Sequence, residues 1–393
     1  MRKINWIIGL MAAFTVTGCS QKKTDESATL TPIVVDWNCK DLDYSHWVED
    51  SALIVPLETT DDCLIGEITY LVYQDHKIYI ADNLSKAVYV FDEKGKLLST
   101  LRKVGNGPEE YLNISAFTVH DSQLLIYDNM KRKIFFYQEN GNFLYEKDAS
   151  RVWCREMFFL DNNLYLFNNT SKTDMGSYHL FKLNPEKENN DVKSFLPFER
   201  PDFITWSIDG FCAVNGNEAL FTAWPYDMLY EVKSGEAKAA YTVDFGDKRL
   251  PEKYIYGDGY TAIKVAQQDN YVMGINTVQQ TDRYIFMTCF YNGTKTIIYD
   301  KETGKEFTAV RFYNKNLGGS AFMMSWTTMQ NGYMVTYRNM ADWVFEGQAG
   351  CDWDKENFAS EYTREMFKKF QKMNSEDNPV IIIQKIKEDV ELF

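Results

Sequence analysis

Two stretches, read one above the other, decide the fold: KIYIADNLSKAVYVFDEKGKLLSTL (77–101) and QLLIYDNMKRKIFFYQENGNFLYEK (123–147). At an offset of 46 residues, Ile80 falls on Ile126, Asp82-Asn83 on Asp128-Asn129, Lys86 on Arg132 and Val88 on Ile134, without a gap. Phe91 then meets Tyr137, Glu93 meets Glu139, Gly95 meets Gly141 and Leu98 meets Leu144. Self-similarity at such a period marks a chain built from one repeated supersecondary unit. Within the unit, Lys77 to Ala81 is a short run of β-formers and Asp82-Asn83 ends it with turn chemistry. Ala87 to Phe91 is the next strand, Asp92 to Lys96 is a hairpin loop with Gly95 where positive φ is needed, and Leu97 to Leu101 returns. With Ile68 to Val72 ahead of them, these make four antiparallel strands.

Weaker copies follow: 163–196 outlines a third unit, 218–243 a fourth with Ser234-Gly235 at its hairpin, and 283–311 a fifth with Thr303-Gly304 at its hairpin. A sixth is split, with Ala321 to Thr328 and Tyr333 to Tyr337 on one side of an insertion and Pro379 to Lys385 on the other. Four-stranded units at this period predict an all-β, six-bladed β-propeller, which protects its sheet edges by closing into a ring. Ala52 to Leu57 has no companion strand nearby while the sixth unit lacks one, so the N-terminal strand is expected to close the last blade. Two segments exceed the repeat, about 246–269 and 339–378. In the second, Phe358, Tyr362, Met366, Phe370 and Met373 recur at helical spacing, with Asp354 or Asn357 as N-cap, and predict a helix packed on the propeller.

The N-terminus reads as an address. Arg2 and Lys3 precede an apolar run from Ile4 to Val16, too short for a permanent membrane helix, and small residues follow. Val16-Thr17-Gly18-Cys19 resembles the bacterial lipobox, in which the cysteine becomes the lipidated first residue. The expected organisation is a signal peptide over 1–18, a polar tether over 19–31 starting at lipidated Cys19, and one propeller domain over 32–393. The signal implies export, and Ser20 rather than Asp after the cysteine points, by the same resemblance, to outer-membrane sorting rather than inner-membrane retention. Loss of Arg2 and Lys3 takes the formal charge from −14 to −16. That balance argues against nucleic acid as a partner, since no cation excess displaces phosphate counterions, and leaves the acyl chain as the membrane contact. The six other cysteines, Cys39, Cys63, Cys154, Cys212, Cys289 and Cys351, are widely spaced without a CxxC pair and read mostly as buried strand residues.

Val55 to Thr60, Leu64 to Ile68, Tyr79 to Asp82, Val90 to Lys96 and Gly105-Asn106-Gly107-Pro108-Glu109-Glu110-Tyr111 occur in that order. Together they resemble the six-bladed β-propeller lipoproteins of gut-anaerobe cell envelopes, relatives of NHL-repeat propellers. Asn378 to Ile386 is similar to that family's closing strand. Where the family's loop carries Gly after the proline, Glu109 stands here. The resemblance implies fold and cellular place, and no reaction.

Chemistry is sparse. His46, His76, His120 and His179 form no metal-ligand spacing, and neither a nucleophile elbow nor a Cys/His pair is legible, so no metal and no cofactor is expected. Gly257 to Ala262 fits a dinucleotide fingerprint formally but lacks its strand–helix–strand setting. Asp352 to Asn357 starts like a calcium loop without its later glycine and glutamate. The remaining signal is geometric. Loops after each second strand and the connections between blades share one face of a propeller. That face collects Asp82, Asn83, Asn106, Glu109, Glu110, Tyr111, Asp128, Asn129, Trp153, Asn169, Arg200, Trp206, Trp224, Tyr226, Asn292, Trp326 and Arg338. Flat aromatics beside amides suit sugar rings, whose C–H faces stack while their hydroxyls hydrogen-bond. The expected function is therefore a lipid-anchored, non-catalytic module binding a glycan, a peptide or an envelope protein. The alternative is a carbohydrate hydrolase or lyase pairing Glu109 or Glu110 with Asp82 or Asp128.

Overall fold

The computed structural model describes residues 30–187, 191–199, 212–223, 227–255, 258–317, 327–340, 360–370, 372–387 and 389–393. Three short strands come first, β1 (Thr31–Val34), β2 (Lys40–Asp43) and β3 (Leu53–Pro56). Blade 1 is β4 (Tyr70–Gln74), β5 (Lys77–Asp82), β6 (Ala87–Asp92) and β7 (Leu97–Leu101). Blade 2 repeats it as β8 (Ala116–His120), β9 (Gln123–Asp128), β10 (Lys133–Gln138) and β11 (Phe143–Asp148). The inner strand of the first unit, expected at 68–72, begins at Tyr70 instead. Both units otherwise fold in one register, and their hairpin glycines Gly95 and Gly141 take φ of 80° and 82°.

Blade 3 is β12 (Glu156–Leu160), β13 (Asn163–Phe167), β14 (Tyr178–Leu183) and β15 (Lys193–Pro197). Blade 4 is β16 (Cys212–Asn215), β17 (Glu218–Thr222), β18 (Met228–Lys233) and β19 (Glu236–Asp244). The first insertion then folds as the helices α1 (Glu252–Ile255) and α2 (Gly259–Asp269). Blade 5 is β20 (Thr277–Gln280), β21 (Tyr284–Phe290), β22 (Thr294–Asp300) and β23 (Glu306–Tyr313). Blade 6 is β24 (Thr327–Gln330), β25 (Tyr333–Arg338) and β26 (Val380–Lys385), completed by β3, which pairs antiparallel with β26 from Leu53↔Ile383 to Pro56↔Val380. The N-terminal strand thus closes the last blade, as the sequence predicts, and β24 abuts β4 to complete the ring.

The segment ahead of β3 adds something the sequence does not announce. Strand β1 pairs parallel with β19 and β2 parallel with β23, so blades 4 and 5 each carry a fifth, outermost strand. Thr31, assigned to the tether by the sequence, already belongs to β1. Between these strands Trp37 packs on Tyr291 with ring centroids 4.6 Å apart, and its indole N–H donates to the Phe245 carbonyl at 3.1 Å.

Alternation explains why so many strand residues are buried. In β10, Phe135 and Tyr137 pack with Tyr79, Val90 and Phe117 toward blade 1, while Ile134 and Phe136 pack with Leu164, Leu166 and Phe181 toward blade 3. Each blade is a slab with an apolar layer on both sides, and similar layers fill the other boundaries. A Phe→Ala truncation in such a layer costs about 3–5 kcal/mol. The predicted helix exists as α3 (Glu361–Phe370). Met366 and Phe370 pack with Ile54, Val380 and Ile382 against blade 6, whereas Tyr362 is exposed. Its cap is Ser360, whose Oγ accepts from the Thr363 N–H at 3.1 Å; Phe358, Asp354 and Asn357 lie outside the described residues.

Candidate functional site

The innermost strand of each blade pairs on one side only, so its other edge faces the ring axis. Unpaired backbone groups there need partners, because a buried orphan costs about 1–3 kcal/mol. Side chains of neighbouring blades supply them. Gln330 donates to the Leu71 carbonyl at 3.0 Å and accepts from the Tyr73 N–H at 2.9 Å, joining blade 6 to blade 1. Gln279 accepts from the Met329 N–H at 2.9 Å, joining blades 5 and 6, and Gln280 donates to the Ala213 carbonyl at 3.0 Å, joining blades 5 and 4. Glu156 accepts from the Cys212 N–H at 3.0 Å across blades 3 and 4. The Tyr70 hydroxyl reaches the Ser115 and Arg155 carbonyls of blades 2 and 3, at 2.9 and 3.1 Å. His120 of blade 2 stacks on Phe159 of blade 3, centroids 3.8 Å apart and planes 4° off parallel.

These side chains frame a cavity of about 510 Å³ lined by residues of all six blades. One arc is apolar and aromatic, with Leu71, Val72, Phe117 and Phe159. Thr118, His120, Glu156, Gln279 and Thr328 make the rest hydrogen-bonding. Cys212 also lines it, but burial, reinforced by Glu156, pushes its thiol well above the ordinary range, so it is protonated and a poor nucleophile at neutral pH. Among the described residues, no cluster of three or more His, Cys, Asp or Glu side chains could hold a metal ion.

The face singled out from the sequence divides into several groups. Asp82 and Asp128 are fully buried and occupied. Asp82 accepts the Gly66 N–H on Oδ2 and those of Leu84 and Ser85 on Oδ1; Asp128 does the same with Leu112, Met130 and Lys131, at 2.6–3.1 Å throughout. Both tie the incoming connection to the turn after the second strand, which corrects their assignment to a ligand-facing surface. Tyr111 is also buried, its hydroxyl donating to the Lys86 and Leu101 carbonyls. Asn169 is buried at a φ of 59°, with its carbonyl accepting the His179 Nδ1–H at 2.5 Å. Asp82, Asp128 and Tyr111 are internal struts, whereas the Asn169 amide is buried with neither its oxygen nor its nitrogen hydrogen-bonded among the described residues.

The remaining members are divided between the surface and local turns. Glu110 accepts the Gly107 N–H at 2.7 Å, and Glu109 pairs with Lys103 at 3.3 Å beside exposed Asn106. Asn83 and Asn129 donate their backbone N–H to Thr69 and Ser115 hydroxyls in equivalent turns. Exposed Asn292 gives its carbonyl to Lys295, and Arg338 ends β25. Trp153 is 36% exposed with the Arg132 guanidinium 4.8 Å over its ring. Arg200, Trp206, Trp224, Tyr226 and Trp326 lie outside the described residues, as does Cys19. No pairing of Glu109 or Glu110 with Asp82 or Asp128 forms, because backbone amides occupy both aspartates. The inner-strand glutamines and Arg132 were missed by sequence reasoning; amides inside otherwise apolar strands were the available signal.

The other motifs resolve locally. His76 pairs with Glu93 at 2.9 Å, and the His46 Nε2 meets the Glu391 carbonyl. Asp258 caps α2 through the Thr261 N–H at 2.9 Å, so the described part of the glycine motif, from Asp258 to Ala262, starts a helix; Gly257 and Asp352 to Asn357 are outside the described residues. Cys39, Cys63, Cys154, Cys212 and Cys289 are free thiols; Cys289 is buried in β21, Cys63 and Cys154 are buried in connections, and Cys39 and Cys212 are half-buried.

Comparison with curated proteins gives no match. Among solved structures, a Bacteroides fragilis chain described as a "putative exported protein" is similar at 18% identity and a TM-score of 0.72, over 91% of this chain and 100% of that one. A Bacteroides vulgatus member of the DUF4221 family is similar at 12% identity and a TM-score of 0.50, over 87% and 99%. At such identities the likeness is one of fold. No helix among the described residues is long and apolar enough to cross a membrane. The pattern of the family described as "Domain of unknown function (DUF4934)" matches residues 32–385, nearly the whole ring, and the chain belongs to that family.

Proposed function

We propose that this protein is an exported, acyl-anchored, non-catalytic module of the cell envelope that holds one small saccharide-type ligand in its central channel. The carrying observation is the cavity itself. Its volume of about 510 Å³ falls within the range of small-molecule sites, about 300–1,000 Å³. A lining that mixes aromatic side chains with amide, hydroxyl and carboxylate groups suits a ring with C–H faces and several hydroxyls. Export is supported by the signal-like N-terminus and by the description of the Bacteroides fragilis neighbour. Anchoring through Cys19 and outer-membrane sorting rest on the lipobox resemblance and Ser20.

Calorimetric titration of the full chain with a panel of mono- and disaccharides, dipeptides as controls, tests the reading. One sugar class is expected to bind, and Thr118→Phe, which fills the channel, should abolish it with the fold intact. Flat titrations across the panel, or binding that survives Thr118→Phe, would refute it. Cys19→Ser should move the protein from the membrane to the soluble fraction; unchanged membrane association would refute the anchor.

A further inference from the structure

Arginine pairing is lopsided over this acidic surface. Arg249, Arg283, Arg311 and Arg364 each meet a carboxylate. Arg102, Arg132, Arg151 and Arg155 meet none among the described residues, although acidic residues outnumber basic ones 56 to 42. All four sit in loops of one face: Arg102 in the connection from blade 1 to blade 2, Arg132 in the turn after β9, and Arg151 and Arg155 in the connection from blade 2 to blade 3. Arg132 is the most telling. Its guanidinium lies 4.8 Å over the half-exposed Trp153 ring, and no carboxylate among the described residues balances its charge.

Loops of the same face expose apolar side chains. Leu84 and Met130, equivalent in the repeat, are 71% and 69% exposed at the tips of the second-strand turns, and Leu64, Val104 and Trp153 accompany them. The Asp82 and Asp128 carboxylates hold these turns through the Leu84 and Met130 N–H groups, so the tips are presented by fixed backbone. An apolar patch interleaved with unpaired cations marks an interaction surface.

We propose that the connection face of blades 1–3 docks a protein partner whose contact surface is acidic and centred on apolar side chains. A polysaccharide would satisfy the arginines and leave the Leu84 and Met130 tips against hydroxyls. An anionic lipid plane would meet the exposed acids Asp61, Asp62 and Glu109 interspersed on the same face. A protein surface can match both signs position by position. This docking face is separate from the channel and does not depend on it.

The probe is a panel of synthetic peptides of about 15 residues built from Asp, Glu, Leu and Phe, with Lys-for-Glu controls, read by fluorescence anisotropy against the full chain. Acidic apolar peptides should bind. The Arg132→Gln/Arg151→Gln double variant should weaken them about tenfold or more, and raising ionic strength from about 0.01 to 0.15 M should weaken them further. Leu84→Ser/Met130→Ser should weaken them about fivefold, while Tm and channel binding stay at wild-type values. Absence of peptide binding, or binding indifferent to both double variants, would overturn the proposal. So would peptide-negative protein that is retained, through the same arginines, on polygalacturonate or on phosphatidylglycerol vesicles.

Discussion

Gln330 is the side chain through which the last blade grips the first, and Gln330→Ala is the perturbation whose size follows most directly from the geometry. The substitution removes the bonds to Tyr73 N–H and the Leu71 carbonyl, at 2.9 and 3.0 Å, and the one to the Thr328 hydroxyl at 2.8 Å. Each such bond contributes about 0.5–1.5 kcal/mol net. The thinly solvated Tyr73 and Leu71 backbone groups lose their partner, so the expected loss is about 3 kcal/mol. Unfolding entropy of about 2.1 cal/mol/K per residue gives about 0.8 kcal/mol per kelvin at 60 °C for a 393-residue chain. Tm should therefore fall by about 4 °C. Gln74→Ala, on the neighbouring inner strand but bonded only to exposed Asp75, is the control and should shift Tm by less than about 1 °C. Differential scanning calorimetry on both variants decides it. A Gln330→Ala shift no larger than the control's would refute the idea that inter-blade side chains secure the channel wall.

Three other outcomes follow. Asp128→Ala removes three amide hydrogen bonds to a charged acceptor and should cost about 3 kcal/mol or more, read as a lowered midpoint in urea; Asp128→Asn should recover part of it. Burial holds the His179 imidazole down to about 4, against the opposing pull of its bond to the Asn169 carbonyl. Its folded value lies below the ordinary 6.5, so the stability it contributes is full above pH 6.5 and is lost as pH falls toward 4, by of order 3 kcal/mol. Urea midpoints across that window should flatten in His179→Gln. Trp37→Ala should loosen the outermost strands of blades 4 and 5, seen as faster amide exchange at Ile33 and Val34 while β20 stays protected.

The offset of 46 residues between Ile80 and Ile126 carried the blade count, and Gly95 and Gly141 marked their hairpins, because strand alternation and positive-φ turns are written locally. Ring closure was legible from a deficit: Leu53 to Pro56 lacked a sheet and the sixth unit lacked a strand. Strands β1 and β2 were not legible. Each is four residues long with one buried side chain, too short for a period to show, and Pro32 argues against a central strand. The ligand face was misjudged at Asp82 and Asp128 for a different reason. An Asp-Asn pair after a strand describes a turn whether its carboxylate meets solvent or amides, and only tertiary structure brings Gly66 or Leu112 to it. A spacing of 16 residues, shared by Asp82 with Gly66 and by Asp128 with Leu112, was the signal available. Gln279, Gln280 and Gln330 escaped notice because strand amides look like surface residues until the inner edge of each blade is known to need partners.

The most direct test of the account is a crystal structure of the full chain grown with whichever saccharide binds in solution. The account predicts ligand density inside the ring, beside the stacked Phe159–His120 pair and within hydrogen-bonding distance of Thr118 or Glu156. Ligand density on the outer rim, with the channel holding only solvent, would contradict it.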